Sequence, residues 1–145
     1  MPNYILSIVP VTALDAVWKQ VAPLLELANT KGRGGETLSF QYVKLANNTR
    51  QLWIAAEEDQ IGACLVTQVY EQSDGLTVCY VTQMAGEPLD IFIEFEEQLY
   101  NFALMVEADV IRFRGRKGWE KRLKYKDYHI TQVIYEKNIK PTSIN

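Results

Sequence analysis

Residues 51–84 read QLWIAAEEDQIGACLVTQVYEQSDGLTVCYVTQM, and this stretch decides the fold. Gln51–Ala56 is a run of β-formers that ends in the acidic turn Glu57-Glu58-Asp59-Gln60. Ile61–Tyr70 and Leu76–Met84 follow as two longer strands joined by Gln72-Ser73-Asp74-Gly75, the strongest hairpin signal in the chain. Both are apolar on both alternating faces: Ala63, Leu65 and Val69 against Cys64 and Val66, and Val78 and Tyr80 against Cys79 and Val81. A sheet with two apolar faces needs helices on both. A turn at Ser73-Asp74-Gly75 makes paired positions sum to roughly 147–149, so Cys79 lies about four to six residues from the partner of Cys64. At ~3.3 Å per residue the two thiols are out of bonding range, which predicts free, buried cysteines and a reducing compartment.

Working outward toward the start, Tyr4–Val9 (YILSIV) alternates as a strand. A helix follows, capped at Thr12 or Asp15, with Leu14, Val17, Trp18, Val21, Leu24, Leu25 and Ala28 at helical spacing and Pro23 expected to kink or split it. Thr30–Glu36 (TKGRGGE) is a loop with three glycines and two bases; it reads as a flexible connection rather than a phosphate loop, because no lysine-serine pair follows. Thr37–Leu45 stays open between strand, from its β-formers, and helix, from Leu38, Tyr42 and Leu45 on one face. Toward the end, Pro88–Ala108 is the longest helix, with Pro88 in its first turn, Glu87 and Asp90 at the positive end of its dipole, and a stripe of Leu89, Phe92, Phe95, Leu99, Phe102, Ala103 and Val106. A strand Val110–Arg114, a break at Gly115-Arg116-Lys117-Gly118, a short basic helix over about Trp119–Lys126 and a last strand Tyr128–Glu136 complete the order.

The 145 residues are 48% hydrophobic and 23% charged, which fits one globular domain, residues 1–139, with a surface tail at 140–145. No apolar run approaches the ~18–20 residues of a membrane span, and Met1-Pro2-Asn3 lacks the basic start of a secretion signal. The net charge of −3 conceals two poles. Seven acids and no base lie between Glu87 and Asp109; eight bases and one acid, Glu120, lie between Arg112 and Lys126. Two cysteines and one histidine, His129, do not make a zinc site, and no Ser/His/Asp or Cys/His arrangement emerges from the spacing.

The element order, with LWIAAEEDQIGACLVTQV at 52–69 and GWEKRLKYKDYHITQVIYEKNI at 118–139, resembles the GNAT acyltransferase superfamily over roughly residues 4–139. More narrowly, Gly115-Arg116-Lys117-Gly118-Trp119 followed by Arg122-Leu123-Lys124 is similar to GNAT-like proteins encoded among the head and tail genes of tailed bacteriophages. The resemblance implies a three-layer α/β fold, a mixed central sheet of about six or seven strands with helices on both faces. It also implies an acyl-coenzyme A site where two central strands splay, with a Gln/Arg-x-x-Gly-x-Gly/Ala loop offering backbone amides to the pyrophosphate.

The corresponding residues here are Gln83-Met84-Ala85-Gly86-Glu87-Pro88. Gln83 and Gly86 match. Pro88 has no amide proton, and Glu87 and Asp90 would each repel a pyrophosphate by roughly a kcal/mol or more. The general-acid tyrosine that the resemblance implies falls, counting five back from Tyr128, on Leu123; Tyr125 is about 200° out of phase on a helix. Glu57, Glu58 and Tyr80 remain as bases, each with a plain structural role in turn solvation or packing. These departures lead to the expectation of a non-catalytic phage protein without a cofactor, structural or assembling in the virion, found there or in the host cytoplasm. The alternative is an active acyl-CoA-dependent N-acyltransferase holding acetyl-CoA at Gln83 and Gly86. The expected partner is a protein, another virion component or a further copy, rather than a membrane; nucleic acid fits less well with a net negative chain. Its contact surface is Arg112, Arg114, Arg116, Lys117, Lys121, Arg122 and Lys124, continued by Lys126, with Trp119 either their apolar anchor or packed on Leu123 in the core.

Overall fold

The structure, a computed structural model, describes residues 4–31, 36–86, 88–114, 120–132, 134–135 and 137–139, the side chains of 29–31, 88–92, 94 and 95 excepted. They fall into two compact units, Met1–Arg114 and Gly115–Asn145.

The first unit carries the sheet. Strand β1 (Ile5–Val9) leads through a single 3-10 turn, Val11–Ala13, into α1 (Leu14–Lys31) and α2 (Leu38–Ala46). Then come β2 (Gln51–Glu57), β3 (Gln60–Glu71), β4 (Thr77–Ala85), α3 (Pro88–Met105) and β5 (Val110–Phe113). Strand order in space follows order in sequence, β1-β2-β3-β4-β5. The first four strands are antiparallel and β5 is parallel to β4. A parallel neighbour requires a crossover, and α3 supplies it.

Opposed residues share a face, so the contacts sort the layers. Leu52, Cys64, Val66 and Ala85 join Leu14, Val21 and Leu25 of α1 and Leu45 of α2 in one buried cluster. The other face carries Trp53, whose ring meets Phe102 of α3 edge-on at 5.2 Å. Its indole N–H donates to Thr67 Oγ1 at 3.0 Å, and that hydroxyl donates to Gln51 Oε1 at 2.8 Å. Helices thus cover both faces of a mixed sheet.

The sheet has five strands among the described residues, not six or seven. The missing one is Tyr128–Glu136. Its described residues, 128–132, 134 and 135, form no strand, and Ile130, Ile134 and Tyr135 are exposed. Alternating β-formers specify a segment able to pair, but a strand exists only where an edge accepts it. The open segment 37–45 is helical, because Thr37 Oγ1 accepts from the Phe40 amide at 3.1 Å and caps α2, while Gln41 and Leu45 turn to the core. Hairpin pairing follows the expected sums: Gln68 faces Tyr80, Cys64 faces Ala85, and both thiols are free and buried. Of the α3 stripe, Leu99 and Ala103 are buried; the Phe92 and Phe95 side chains lie outside the described residues, as does the 140–145 tail.

In the second unit, α4 (Glu120–Lys124) buries Leu123 and ends in a turn, with Asp127 at φ 64°. The basic helix is shorter than the expected span of 119–126.

Pro23 neither splits nor ends α1, which runs through it for 18 residues. The ring is exposed and the core stripe on the opposite side holds the helix together. A proline inside a helix costs about 3 kcal/mol relative to alanine. Pro23→Ala should therefore raise the unfolding free energy by about 1–3 kcal/mol in a denaturant titration; an unchanged midpoint would mean that α1 is already relaxed around the ring.

Candidate functional site

Strand β4 is nine residues long and β5 is four. Their parallel pairing runs from Val78 with Val110 to Val81 with Phe113 and stops. Just there β4 bulges. Thr67 opposes Val81 and Val66 opposes Gln83, which leaves Thr82 as the extra residue, its hydroxyl donating to the Val66 carbonyl at 3.3 Å. A bulge bends its strand and increases its twist. Thr82–Ala85 therefore continue along β3 while their other edge has no strand partner among the described residues. The result, among the described residues, is a gap in the β4–β5 pairing whose β4 side carries backbone N–H and C=O groups, which an extended chain bearing amides matches.

The gap ends at Gly86, and α3 begins at Pro88. Gly86 has φ +99°, and a Cβ there would lie 2.5 Å from the Gly62 carbonyl oxygen and 2.7 Å from the Ala63 Cβ. The glycine is thus demanded by the close approach of β3 as well as by its left-handed backbone. Its match to the phosphate-loop pattern has a packing cause. Glu87 lies outside the described residues. Pro88, as the first helical residue, removes one of the amides that would face an anion at the α3 N-terminus. The loop thus offers an anion at this end fewer backbone donors than a Gln/Arg-x-x-Gly-x-Gly/Ala pattern does.

On the α1 face, alongside the paired part of β4 and β5, stands a polar row. Tyr80 pairs in register with Gln68 on one side and Arg112 on the other. Its ring lies 6.3 Å from that of Tyr70, and Arg112 donates to Gln72 Oε1. Gln68 Oε1 accepts from Arg50 Nε at 2.9 Å, and Arg50 grips both oxygens of Glu36 at 2.9 and 2.8 Å. Arg50 is 7% exposed, and this fork ties the start of α2 to the sheet. The sequence reading missed that clamp; a lone arginine before a strand and a glutamate closing a glycine-rich loop were its only traces. The Thr82 bulge left no trace in the sequence.

The predicted side chains are placed as follows. Gln83 is half-buried on the α1 face of β4, beside the gap. Gly86 is at its end. Arg112 is half-buried in β5 and donates to Gln72, while Arg114 is exposed just after the strand. Arg116, Lys117 and Trp119 lie outside the described residues, with Gly115, Gly118 and loop residues 32–35. Lys121, Arg122, Lys124 and Lys126 are all exposed on and after α4. Leu123 is buried, Tyr125 is 90% exposed, and His129 is exposed outside any strand rather than half-buried in one. Glu57 and Glu58 are exposed at the β2–β3 turn, as their solvation role requires. No described helix is long and apolar enough to cross a membrane.

The chain matches no protein-family model and no curated protein sequence. Solved structures do match. A predicted acetyltransferase from Clostridium acetobutylicum, solved with acetyl-CoA, superposes with a TM-score of 0.67 at 18% identity over 94% of this chain and 97% of that one. An aminoglycoside acetyltransferase, meta-AAC0020, from an uncultured soil metagenomic sample matches with a TM-score of 0.68 at 14% identity over 94% and 97%. A ribosomal-protein-alanine N-acetyltransferase from Brucella melitensis biovar Abortus 2308 matches at 0.63 and 10% identity over 97% and 100%. The fold is GNAT-like. At these identities the likeness concerns the fold alone.

Two measurements follow from the local chemistry. Gly86→Ala should destabilise the protein by about 2–4 kcal/mol, from backbone strain and the clash with β3, whether or not a ligand binds; unchanged stability in a denaturant titration would show that the loop is not packed on β3. Burial pushes the Cys64 thiol up to about 12 and the Cys79 thiol up to about 11. Both remain protonated in the folded chain at about pH 8, so neither should react with Ellman's reagent until denaturant is added; rapid labelling of the native protein would contradict the burial.

Proposed function

We propose that this protein is an acyl-CoA-dependent N-acyltransferase. The observation that carries the reading is the end of the β4–β5 pairing at Val81 and Phe113, with a bulge at Thr82 and, among the described residues, no strand partner for the β4 edge beyond it. A thioester lying along that edge would have its amides bonded as a strand's are. The amine lone pair attacks the thioester carbonyl carbon, the C–S bond breaks, and coenzyme A leaves as a thiolate. We assign Tyr80, one residue ahead of the last position that β4 pairs with β5, as the hydroxyl that returns a proton to that sulfur, its phenolate then taking up the proton that the amine nitrogen gives up on becoming an amide. Support from outside the chain is a neighbour of the same fold solved with acetyl-CoA.

A second reading has its own observations. Pro88 withholds an amide at the α3 N-terminus and a buried Leu123 stands where the family pattern asks for tyrosine. They favour a GNAT-like domain without turnover that assembles with a partner, and the short Gly115–Lys124 resemblance makes that partner a tailed-phage virion component, whether in the virion or the host cytoplasm.

Calorimetric titration with acetyl-CoA separates the two. The acyltransferase reading expects a Kd in about the 10–500 μM range, tightened about tenfold in Glu87→Gln/Pro88→Ala, which removes a charge and supplies an amide. It also expects coenzyme A release in the presence of primary amines, lowered at least about tenfold in kcat by Tyr80→Phe with little change in KM for acetyl-CoA. No heat of binding at about 1 mM acetyl-CoA, from wild type and the double variant alike, would overturn the proposal in favour of the second reading.

A further inference from the structure

The outer face of α3 does not look like a solvated helix face. Tyr100 is 51% exposed, Leu104 58% and Met105 74%. Glu97, Tyr100 and Leu104 follow one another at three- and four-residue spacing and so line one side of the helix. The Glu107 amide donates to the Leu104 carbonyl at 3.1 Å, which folds that residue back beside the strip. The strip is therefore the apolar pair Tyr100 and Leu104, with exposed Met105 about 100° further round the helix and the exposed carboxylates of Glu97 and Glu107 near its two ends. Clustered apolar exposure of this kind marks an interaction site more often than scattered residues do.

The same chain carries the complement. Lys121, Lys124 and Tyr125 stand at three- and four-residue spacing on and just after α4 and are exposed, Tyr125 by 90%. Lys126 is exposed beside them. An aromatic ring set among lysines matches an apolar strip set among glutamates in both shape of charge and chemistry. Because the two surfaces differ, the contact between copies is heterologous, and repeating it either closes a ring or extends a filament.

We infer that the α4 segment of one copy, Lys121, Lys124, Tyr125 and Lys126, docks on the α3 face Glu97, Tyr100, Leu104, Met105 and Glu107 of the next, so that the protein assembles head to tail. The contact is small, which places it among weak associations, and its charge pairs make it salt-dependent. It is independent of whether the sheet gap binds acyl-coenzyme A.

Sedimentation of the full chain tests it. The mass of the wild type should rise with concentration between about 10 and about 500 μM in about 50 mM NaCl, and the association should weaken at least about tenfold in about 500 mM NaCl. Lys121→Glu/Lys124→Glu loses the basic surface and Glu97→Lys/Glu107→Lys reverses the acidic one. All four side chains are exposed, so each variant should keep the wild-type melting temperature and be a monomer alone. Mixed, they restore opposite charges at both cross-contacts, the native α4 on the native α3 face and the reversed α4 on the reversed α3 face, and should associate again. A wild type that stays monomeric over this range overturns the proposal, as does association unaffected by salt. Variants that still self-associate as the wild type does, or a mixture that remains monomeric, overturn it as well.

Discussion

Strand β4 is paired at eight of its nine residues on one side and at four on the other. That inequality is the constraint on which the remainder of the architecture turns. Antiparallel pairing with β3 fixes where β4 lies, and the parallel partner must return through α3, whose 18 residues lie against the sheet by contacts such as Phe102 on Trp53. Once β5 ends at Phe113, the last turn of β4 keeps its ladder on one edge only. Thr82 bends the strand at that point, and Gly86, pressed on Gly62 and Ala63, turns it into α3. A sheet closed to its end would offer no backbone groups to an extended ligand.

The other face makes the gap a site rather than a frayed edge. Helix α1 crosses β3 and β4 with Val21 and Leu25 fully buried. Helix α2 is fastened by Leu45 from below and by the Arg50–Glu36 fork from its N-terminal side. The pair is partly buried, and its two parallel hydrogen bonds fix the direction of Glu36, at the start of α2, as apolar packing alone would not. Gln41 next to it is fully buried and donates through Nε2 to the Glu36 carbonyl at 3.3 Å. Tyr42 extends the tie to α1 through a hydrogen bond from its hydroxyl to Asp15 and an edge-on contact with Trp18.

Much of this was legible in the residues. The hairpin of β3 and β4 follows from Ser73-Asp74-Gly75 between two runs of β-formers, and its pairing separated Cys64 from Cys79 by five positions. Two-sided apolarity in those strands announced helices on both faces. What the sequence withheld depends on tertiary partners. Whether 37–45 coils was settled by the Thr37 cap and the burial of Gln41, a polar residue that no apolar pattern would place inside. Pro23 reads as a breaker until the packed opposite face of α1 outweighs it. Tyr128–Tyr135 has the composition of a strand, yet its described residues pair with no strand, a property no single segment can reveal. The site was half legible. The motif around Gln83 and Gly86 could be found by spacing, but the bulge at Thr82 and the packing reason for Gly86 belong to β3, twenty residues away in sequence.

The central claim is that the unpaired edge of β4 receives an acyl-coenzyme A. Amide resonances of the full chain, followed while acetyl-CoA is added, test it residue by residue. The account predicts that the largest shifts fall on Thr82, Gln83, Met84, Ala85 and Gly86, with those of β1 and β2 unchanged, and that exchange of these amides with solvent slows in the complex. Saturating ligand that leaves Thr82–Gly86 unmoved, or that perturbs only residues elsewhere, would contradict it.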